Sequence, residues 1–491
     1  MKRNRTIYFN DARHYYLFVF EPPMRMEDAW RPIDEVAGTG VDTFVYGVER
    51  EDGLFYPSRV GMRFGSDMQP FQQSTFWRVW ENMQSLIDRG LDPLTVLIDR
   101  AHQKGMDFFA SLRMAGYGGM DPRHQIGIPG TRLDFAHAEV RDHQFAVLRE
   151  LATEYATDGV ELDFAFSPYH FMPDQAANGV PVMTEYVRKI SEMVRARPGG
   201  PGQVGARVLP TEQMCLAGGL DVRSWMEEGL VDYVVPLLYL DWTLDPDMPI
   251  DWLTQLGREN DVSVYGMLQP CDTDYDERRR FHTVEKSTPA QMRAAAANFF
   301  DRGADGVYAW YMPWPLGDAE RRTLADLGGP DVLNEATKHY RLRRRDDRAT
   351  ELGYDAAIPL EIPMADPGRR YEVPFYIADD VEAAADRVRQ VLLKINVSSL
   401  ISADRLTVLL NGRSLAGETC LRSYGGVINP FYGQWLEFQL QDVRPVKGPN
   451  VLQISLDGRP EGLEGGVTVE DVEVIVEYGS YPSGLDRAIV S

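Results

Sequence analysis

The amino-acid sequence predicts an α/β fold, a (β/α)8 TIM barrel followed by an all-β, jelly-roll-like sandwich. Three observations carry that expectation. Up to about residue 335, short apolar runs alternate with amphipathic stretches of helical period, as in repeated βα units around a parallel sheet. Eight such runs share those residues, which suits a closed barrel better than an open doubly wound sheet. Beyond residue 340 the helical period gives way to two-residue alternation, punctuated by turn residues such as Asn411-Gly412 and Asp457-Gly458.

Taken in order, the barrel strands are expected at residues 16–20, 43–46, 107–111, 159–164, 205–209, 233–238, 262–267 and 306–311. Residues 6–9 compete for the first place. Several strands follow a glycine that closes the preceding helix, as in Lys104-Gly105-Met106-Asp107 and Glu228-Gly229-Leu230-Val231-Asp232. The barrel is expected to occupy residues 1–340, and a linker, 341–365, to begin within the basic cluster Tyr340-Arg341-Leu342-Arg343-Arg344-Arg345. The sandwich then takes 366–480, with strands at 391–397, 405–410, 436–440, 450–456 and 467–478, and residues 481–491 form a tail.

Composition narrows the function classes. With 51 basic against 74 acidic residues the formal charge is −23, which repels nucleic acid and anionic membrane, so neither is expected as a partner. No window approaches a membrane span. The basic start, Met1-Lys2-Arg3-Asn4-Arg5, leads into an apolar stretch broken by Asn10, Asp11, Arg13 and His14, which does not read as a signal peptide. The cytoplasm is the default expectation, with the periplasm or secretion open to a chain that has lost a leader. Cys215, Cys271 and Cys420 are odd in number and far apart, and read as free thiols. Association into a homo-oligomer stays open.

A barrel of this kind gathers its reactive groups at the C-terminal ends of its strands. Here those ends deliver Glu21, Glu49, Asp163, Thr211-Glu212, Tyr239-Leu240-Asp241-Trp242, and Gln269 followed by Asp272. Strand four is the most informative. Val160, Leu162 and Phe164 face the helices, so Glu161 and Asp163 point inward. Buried carboxyls must be paired or neutralised, and two on neighbouring layers push their pKa values apart, which separates acid from base roles. Glu161 is equally explained by a buried ion pair with Arg113 or Arg207. Asp163, nearer the mouth, is the candidate catalytic group, with Asp241 or Glu212 as the second acid. Tyr239, Trp242, Trp310 and Trp314 offer flat faces for sugar rings, while Glu161, Arg113, His170 and Gln269 offer polar partners for hydroxyls. Barrel-core packing explains some of these aromatics equally well. No lysine stands at a strand end and no strand carries paired histidines, so neither Schiff-base chemistry nor a metal or other cofactor is expected.

Three segments, Asp158-Gly159-Val160-Glu161-Leu162-Asp163-Phe164, Val231-Asp232-Tyr233-Val234-Val235-Pro236 and Gly303-Ala304-Asp305-Gly306-Val307-Tyr308-Ala309-Trp310, fall in order on strands four, six and eight. Together they resemble the broad group of family 10-like glycosyl hydrolases over roughly residues 5–335. The resemblance implies a barrel acting on glycans, with a carbohydrate as its partner. Chitinase-like barrels of glycoside hydrolase family 18 carry a catalytic Glu two positions after the last Asp of a similar fourth strand, where this chain has Ala165. Family 10 xylanases place a nucleophilic Glu on strand seven, where this chain has Gln269. The α-galactosidase-like clan uses an Asp ending strand four as nucleophile and an Asp after strand six as acid/base, a layout that Asp163 and Asp241 share. The expectation is a glycoside hydrolase working through a carboxylate pair at the barrel mouth. Its rival is a barrel that binds glycans but has lost the acid pair, consistent with Ala165.

Overall fold

A computed structural model describes residues 4–11, 16–50, 53–116, 120–127, 133–239, 243–272, 286–310, 312, 316–424 and 433–479. The chain divides into two compact units. One comprises Met1–Tyr239, Pro249–Leu268 and Arg302–Gly328, the other Leu240–Met248, Gln269–Asp301 and Gly329–Ser491. The helix Pro289–Asp301, which an unbroken first domain ending at residue 340 would contain, thus groups with the second unit.

The first unit is a closed barrel of eight parallel strands: β1 (Thr6–Asp11), β2 (Thr43–Gly47), β3 (Asp107–Arg113), β4 (Gly159–Asp163), β5 (Gln203–Val208), β6 (Tyr233–Pro236), β7 (Ser263–Leu268) and β8 (Gly306–Ala309). Each strand pairs with its sequence neighbours, and β8 closes on β1 through Thr6 opposite Val307. Seven of these strands overlap the expected ones. The first does not: Thr6–Asp11 is the strand, and Tyr16–Val19 forms a short helix. The amide of Asn82 donates to the carbonyl oxygens of Leu17 (3.1 Å) and Phe20 (2.7 Å) there, and a run of four or five apolar residues has no period that separates a strand from a helical turn. Glu21 is therefore no strand end; it is 71% exposed and pairs with Arg78.

The helix ends follow the sequence closely. Gly105 (φ 77°) and Gly229 (φ 62°) adopt the left-handed conformation, and the next N–H in each case, from Met106 or Leu230, reaches back to the carbonyl of Ala101 or Trp225. The aspartates that directly precede β4, β6 and β8 in the three strand motifs act at the N-terminal end of the barrel. Asp158 accepts the N–H of Phe108, Asp232 that of Val204 and Asp305 that of Val264, at 2.7, 2.7 and 2.9 Å. The carboxylates before β4, β6 and β8 thus tie down the start of the preceding strand, on the face that serves stability rather than chemistry.

The second unit contains two antiparallel sheets. Its strands are β9 (Lys338–Arg341), β10 (Leu360–Ile362), β11 (Tyr371–Ile377), β12 (Val388–Ser398), β13 (Arg405–Leu410), β14 (Arg413–Ser414), β15 (Thr419–Tyr424), β16 (Gln434–Gln439), β17 (Gly448–Gly458) and β18 (Val467–Tyr478). One sheet runs β9–β18–β12–β16–β15 with β10 also on β18, the other β11–β17–β13–β14. Alternate residues of β12 (Val391, Leu393, Ile395, Val397) and of β11 (Val373, Phe375, Ile377) share one buried core, as the alternation requires of a sandwich. Residues 341–365, expected as a linker, carry part of this unit: β9 ends at Arg341 and β10 pairs with β18. The basic cluster is bound up in ion pairs, Arg341 with Asp471 and with Asp272 (2.7 Å), Arg343 with Asp245 (3.1 Å) and Arg344 with Glu470 (3.1 Å). Asp272 is accordingly part of this unit's packing. The three cysteines are free thiols, and among the described residues no helix is long and apolar enough to cross a membrane.

Candidate active site

The site is built outward from β4. Register places Ser111, Glu161, Gly205 and Tyr233 in one row across β3 to β6, and Arg113, Asp163 and Arg207 in the next row toward the strand ends. Both rows depend on the two-residue period that sends Val160 and Leu162 to the helices.

Glu161 is fully buried. Its Oε1 accepts hydrogen bonds from the Ser111 hydroxyl (2.8 Å) and the Tyr308 hydroxyl (3.0 Å), its Oε2 accepts one from Tyr233 (3.0 Å), and Arg207 Nε lies 3.1 Å from Oε1. Burial raises its pKa, Arg207 and the Ser111 hydroxyl oppose that, and neighbouring Asp163 adds to it, with a net rise. Tyr233 reaches Glu161 because position 205 is glycine. A Cβ there would stand 2.0 Å from the Tyr233 ring and 2.3 Å from its hydroxyl. Glu161 is thus enclosed by protein donors and is not a sugar ligand; the ion-pair reading describes its place.

Asp163 lies one row up and is 1% exposed. Its Oδ1 accepts the N–H groups of Ala165 and Phe166, each at 3.1 Å, and its Oδ2 sits 2.8 Å from Arg207 Nη2. Ala165 contributes a backbone donor where a chitinase-like barrel has an acid. Arg207 bridges both carboxyls, donates to the Ser111 hydroxyl (3.0 Å) and stacks on Phe9 (4.3 Å) and Trp310 (4.9 Å). Desolvation lowers its pKa, but Asp163, Tyr308 and Glu161 outweigh that, and it stays a cation. On the other side of Asp163, Arg113 is 5% exposed, bonds Asp11 Oδ2 at 2.5 Å and lies 4.3 Å from the centre of the Phe166 ring. Asp11, Glu49 and Asp163 together hold its charge against burial. Four carboxyls, on Asp11, Glu49, Glu161 and Asp163, therefore surround two guanidinium groups. Tyr239, half-buried, spans the aromatic wall between Phe166 (5.3 Å) and Trp310 (5.7 Å), and Trp310 itself is 1% exposed, packed on Phe9 at 4.7 Å.

Several candidates lie elsewhere. His170 is fully buried on the helix-facing side, with its ring 5.2 Å from Phe164 and 5.9 Å from Phe135; burial pulls its pKa down to about 3, so it is a neutral core histidine. Glu212 opens the helix Glu212–Ala217 and gives both carboxylate oxygens to Arg223, at 2.6 and 3.0 Å, with its side chain 38% exposed. That pair lowers its pKa and occupies the group expected to oppose Asp163. Gln269 is buried and belongs to the second unit, where Ser287 reaches its carbonyl oxygen. Asp241, Trp242 and Trp314 fall outside the described residues. Asp11 and Phe9 were missed with the first strand. The signal was present: the run Thr6–Asp11 ends on an acid, as β4 does.

No family model and no curated protein matches the sequence. Among solved structures the chain is similar to a cycloisomaltooligosaccharide glucanotransferase of Paenibacillus sp. complexed with cycloisomaltoheptaose, with 9% identity, a TM-score of 0.36, and 96% of this chain and 57% of that one covered. It is similar to α-L-fucosidase isoenzyme 2 of Paenibacillus thiaminolyticus (15%, TM-score 0.43, 69% and 51% covered) and to an α-L-fucosidase GH29 of Bacteroides thetaiotaomicron (12%, TM-score 0.39, 94% and 95% covered). The chain spans little more than half the length of the first two.

Proposed function

We propose that the protein is a glycoside hydrolase of the broad TIM-barrel type, within which the family 10-like resemblance of the strand motifs is the nearest description. The observation that carries this reading is the row Arg113–Asp163–Arg207 at the C-terminal ends of β3, β4 and β5, flanked by Asp11 and walled by Tyr239, Phe166 and Trp310. A carboxylate oriented by two backbone N–H groups and a guanidinium suits attack on, or electrostatic stabilisation of, an oxocarbenium-like centre. Asp163 takes that role, and Asp241 supplies the general acid/base, as in the clan layout that the two residues share. Glu49, close enough to Arg113 to act on its charge, is the alternative acid, and Glu212 is set aside because Arg223 holds it. Tyr239 offers aromatic surface to the sugar ring, with Trp310 packed behind it, and Arg113 offers a donor to its hydroxyls.

A panel of aryl glycosides and polysaccharides tests the reading. With a substrate found, Asp163→Asn should lower kcat by roughly 10³-fold or more in a variant that circular dichroism shows to be folded. Asp241→Asn and Glu49→Gln then identify the second acid by which of them loses activity and recovers it with added azide. Full activity in Asp163→Asn, or tight oligosaccharide binding without hydrolysis over long incubation, overturns the proposal.

A further inference from the structure

The loop after β3 gathers a second group of chemically capable side chains. His124 closes the 3-10 turn Pro122–His124, while His137 and Glu139 stand at the start of the helix Ala138–Thr153. The N–H of Asp134 donates to the carbonyl of His124 at 2.8 Å and ties the two sides of the loop together. One ligand atom from each of His124, His137 and Glu139 lies within 4.8 Å of the others, and the two imidazole rings are 5.0 Å apart. His124 is only 6% exposed, yet its Nδ1 has no hydrogen-bond partner, a costly arrangement for a buried polar atom. His137 occupies the helix N-cap without its side chain capping the helix, so that ring is not committed to the backbone.

We propose that His124, His137 and Glu139 form a binding site for a divalent metal ion of the zinc class, with water completing the coordination. Two imidazoles and a carboxylate are a borderline donor set that zinc accepts, and a distance of 4.8 Å or less between ligand atoms needs only side-chain adjustment to reach tetrahedral spacing. The residues around the site set its strength. Arg123, 70% exposed, donates from Nε to His124 Nε2 at 3.2 Å and also lies 3.3 Å from Asp121. While Arg123 holds Nε2, the imidazole proton sits on Nδ1, so the ion and Arg123 compete for the ring, and Arg123 retains Asp121 when it yields. The positive end of the helix also opposes a cation, and Glu139 offsets it.

The test uses the full chain, stripped by chelation and titrated with Zn2+ against a chromophoric competitor, with Co2+ absorption reporting the coordination number. One saturable site is expected. Replacing exposed Glu139 by Gln should weaken it about tenfold or more, His124→Ala with His137→Ala should abolish it, and Arg123→Gln should strengthen it. Circular dichroism establishes that each variant is folded. Zinc uptake that is absent, or equal in the parent and the double variant, or unchanged in both Glu139→Gln and Arg123→Gln, overturns the proposal.

Discussion

Replacing Arg207 by Met is the sharpest probe of how the barrel interior is held together. The guanidinium is 1% exposed and contacts Glu161 Oε1 at 3.1 Å, Asp163 Oδ2 at 2.8 Å and the Ser111 hydroxyl at 3.0 Å. Methionine fills much of the volume and keeps contact with Phe9 and Trp310, so the loss is electrostatic rather than a cavity. Glu161 keeps its bonds from Ser111, Tyr233 and Tyr308, and Asp163 keeps the two N–H groups of Ala165 and Phe166. Both carboxyls nevertheless lose their buried counter-charge, and breaking a buried pair by removing one partner costs about 3–5 kcal/mol. Adding Glu161→Gln removes one stranded charge while preserving side-chain shape, and should return about 1–3 kcal/mol of that loss. Urea unfolding at neutral pH, followed by circular dichroism on the parent, both single variants and the double variant, measures this coupling. A loss below about 1 kcal/mol in Arg207→Met, or strict additivity in the double variant, would refute the account of Arg207 as the cation that neutralises the interior.

Two further outcomes follow from particular contacts. Glu35 caps the C-terminus of the helix Met26–Asp34, is 6% exposed, and lies 3.8 Å from Arg31; burial, partly opposed by Arg321, pushes its pKa up to about 8 from an ordinary 4.5. Because the folded chain keeps a proton that the unfolded chain releases, this contribution is fully present below pH 4.5 and is lost as pH rises toward 8. Glu35→Gln should therefore gain about 3–4 kcal/mol relative to the parent between pH 5 and pH 8, and a stability difference independent of pH would contradict it. Gly205→Ala should cost about 2–4 kcal/mol, since its Cβ would displace the Tyr233 ring and break the hydroxyl's bond to Glu161. Thermal melts showing no loss, or no partial recovery when Tyr233→Leu vacates the space, would argue against that clash.

Much of the architecture was legible because it is written in local periods. The two-residue alternation of β4 sends Glu161 and Asp163 inward whatever the rest of the barrel does, and the same alternation marks the sandwich strand β12. Glycines past helix ends were readable for the same reason: the conformation they permit is a property of single residues. The misplacement of β1 shows the limit, since Tyr16–Val19 and Thr6–Asp11 are both short apolar runs and only closure onto β2 and β8 distinguishes them.

The sequence by itself determined the barrel, the sandwich and the inward direction of Asp163. Only the tertiary structure decided the company of that residue: two arginines in its own row, with Asp11 beyond one of them, rather than the acid expected from Glu212. Ser111 and Glu161 lie 50 residues apart, and Arg113 and Asp11 lie 102 apart, so their meeting depends on register and barrel closure. The side of the sheet on which His170 packs depends likewise on the path of a loop. Periodicity is set by the geometry of one strand, whereas charge pairing is set by which strands become neighbours, and no local pattern encodes that.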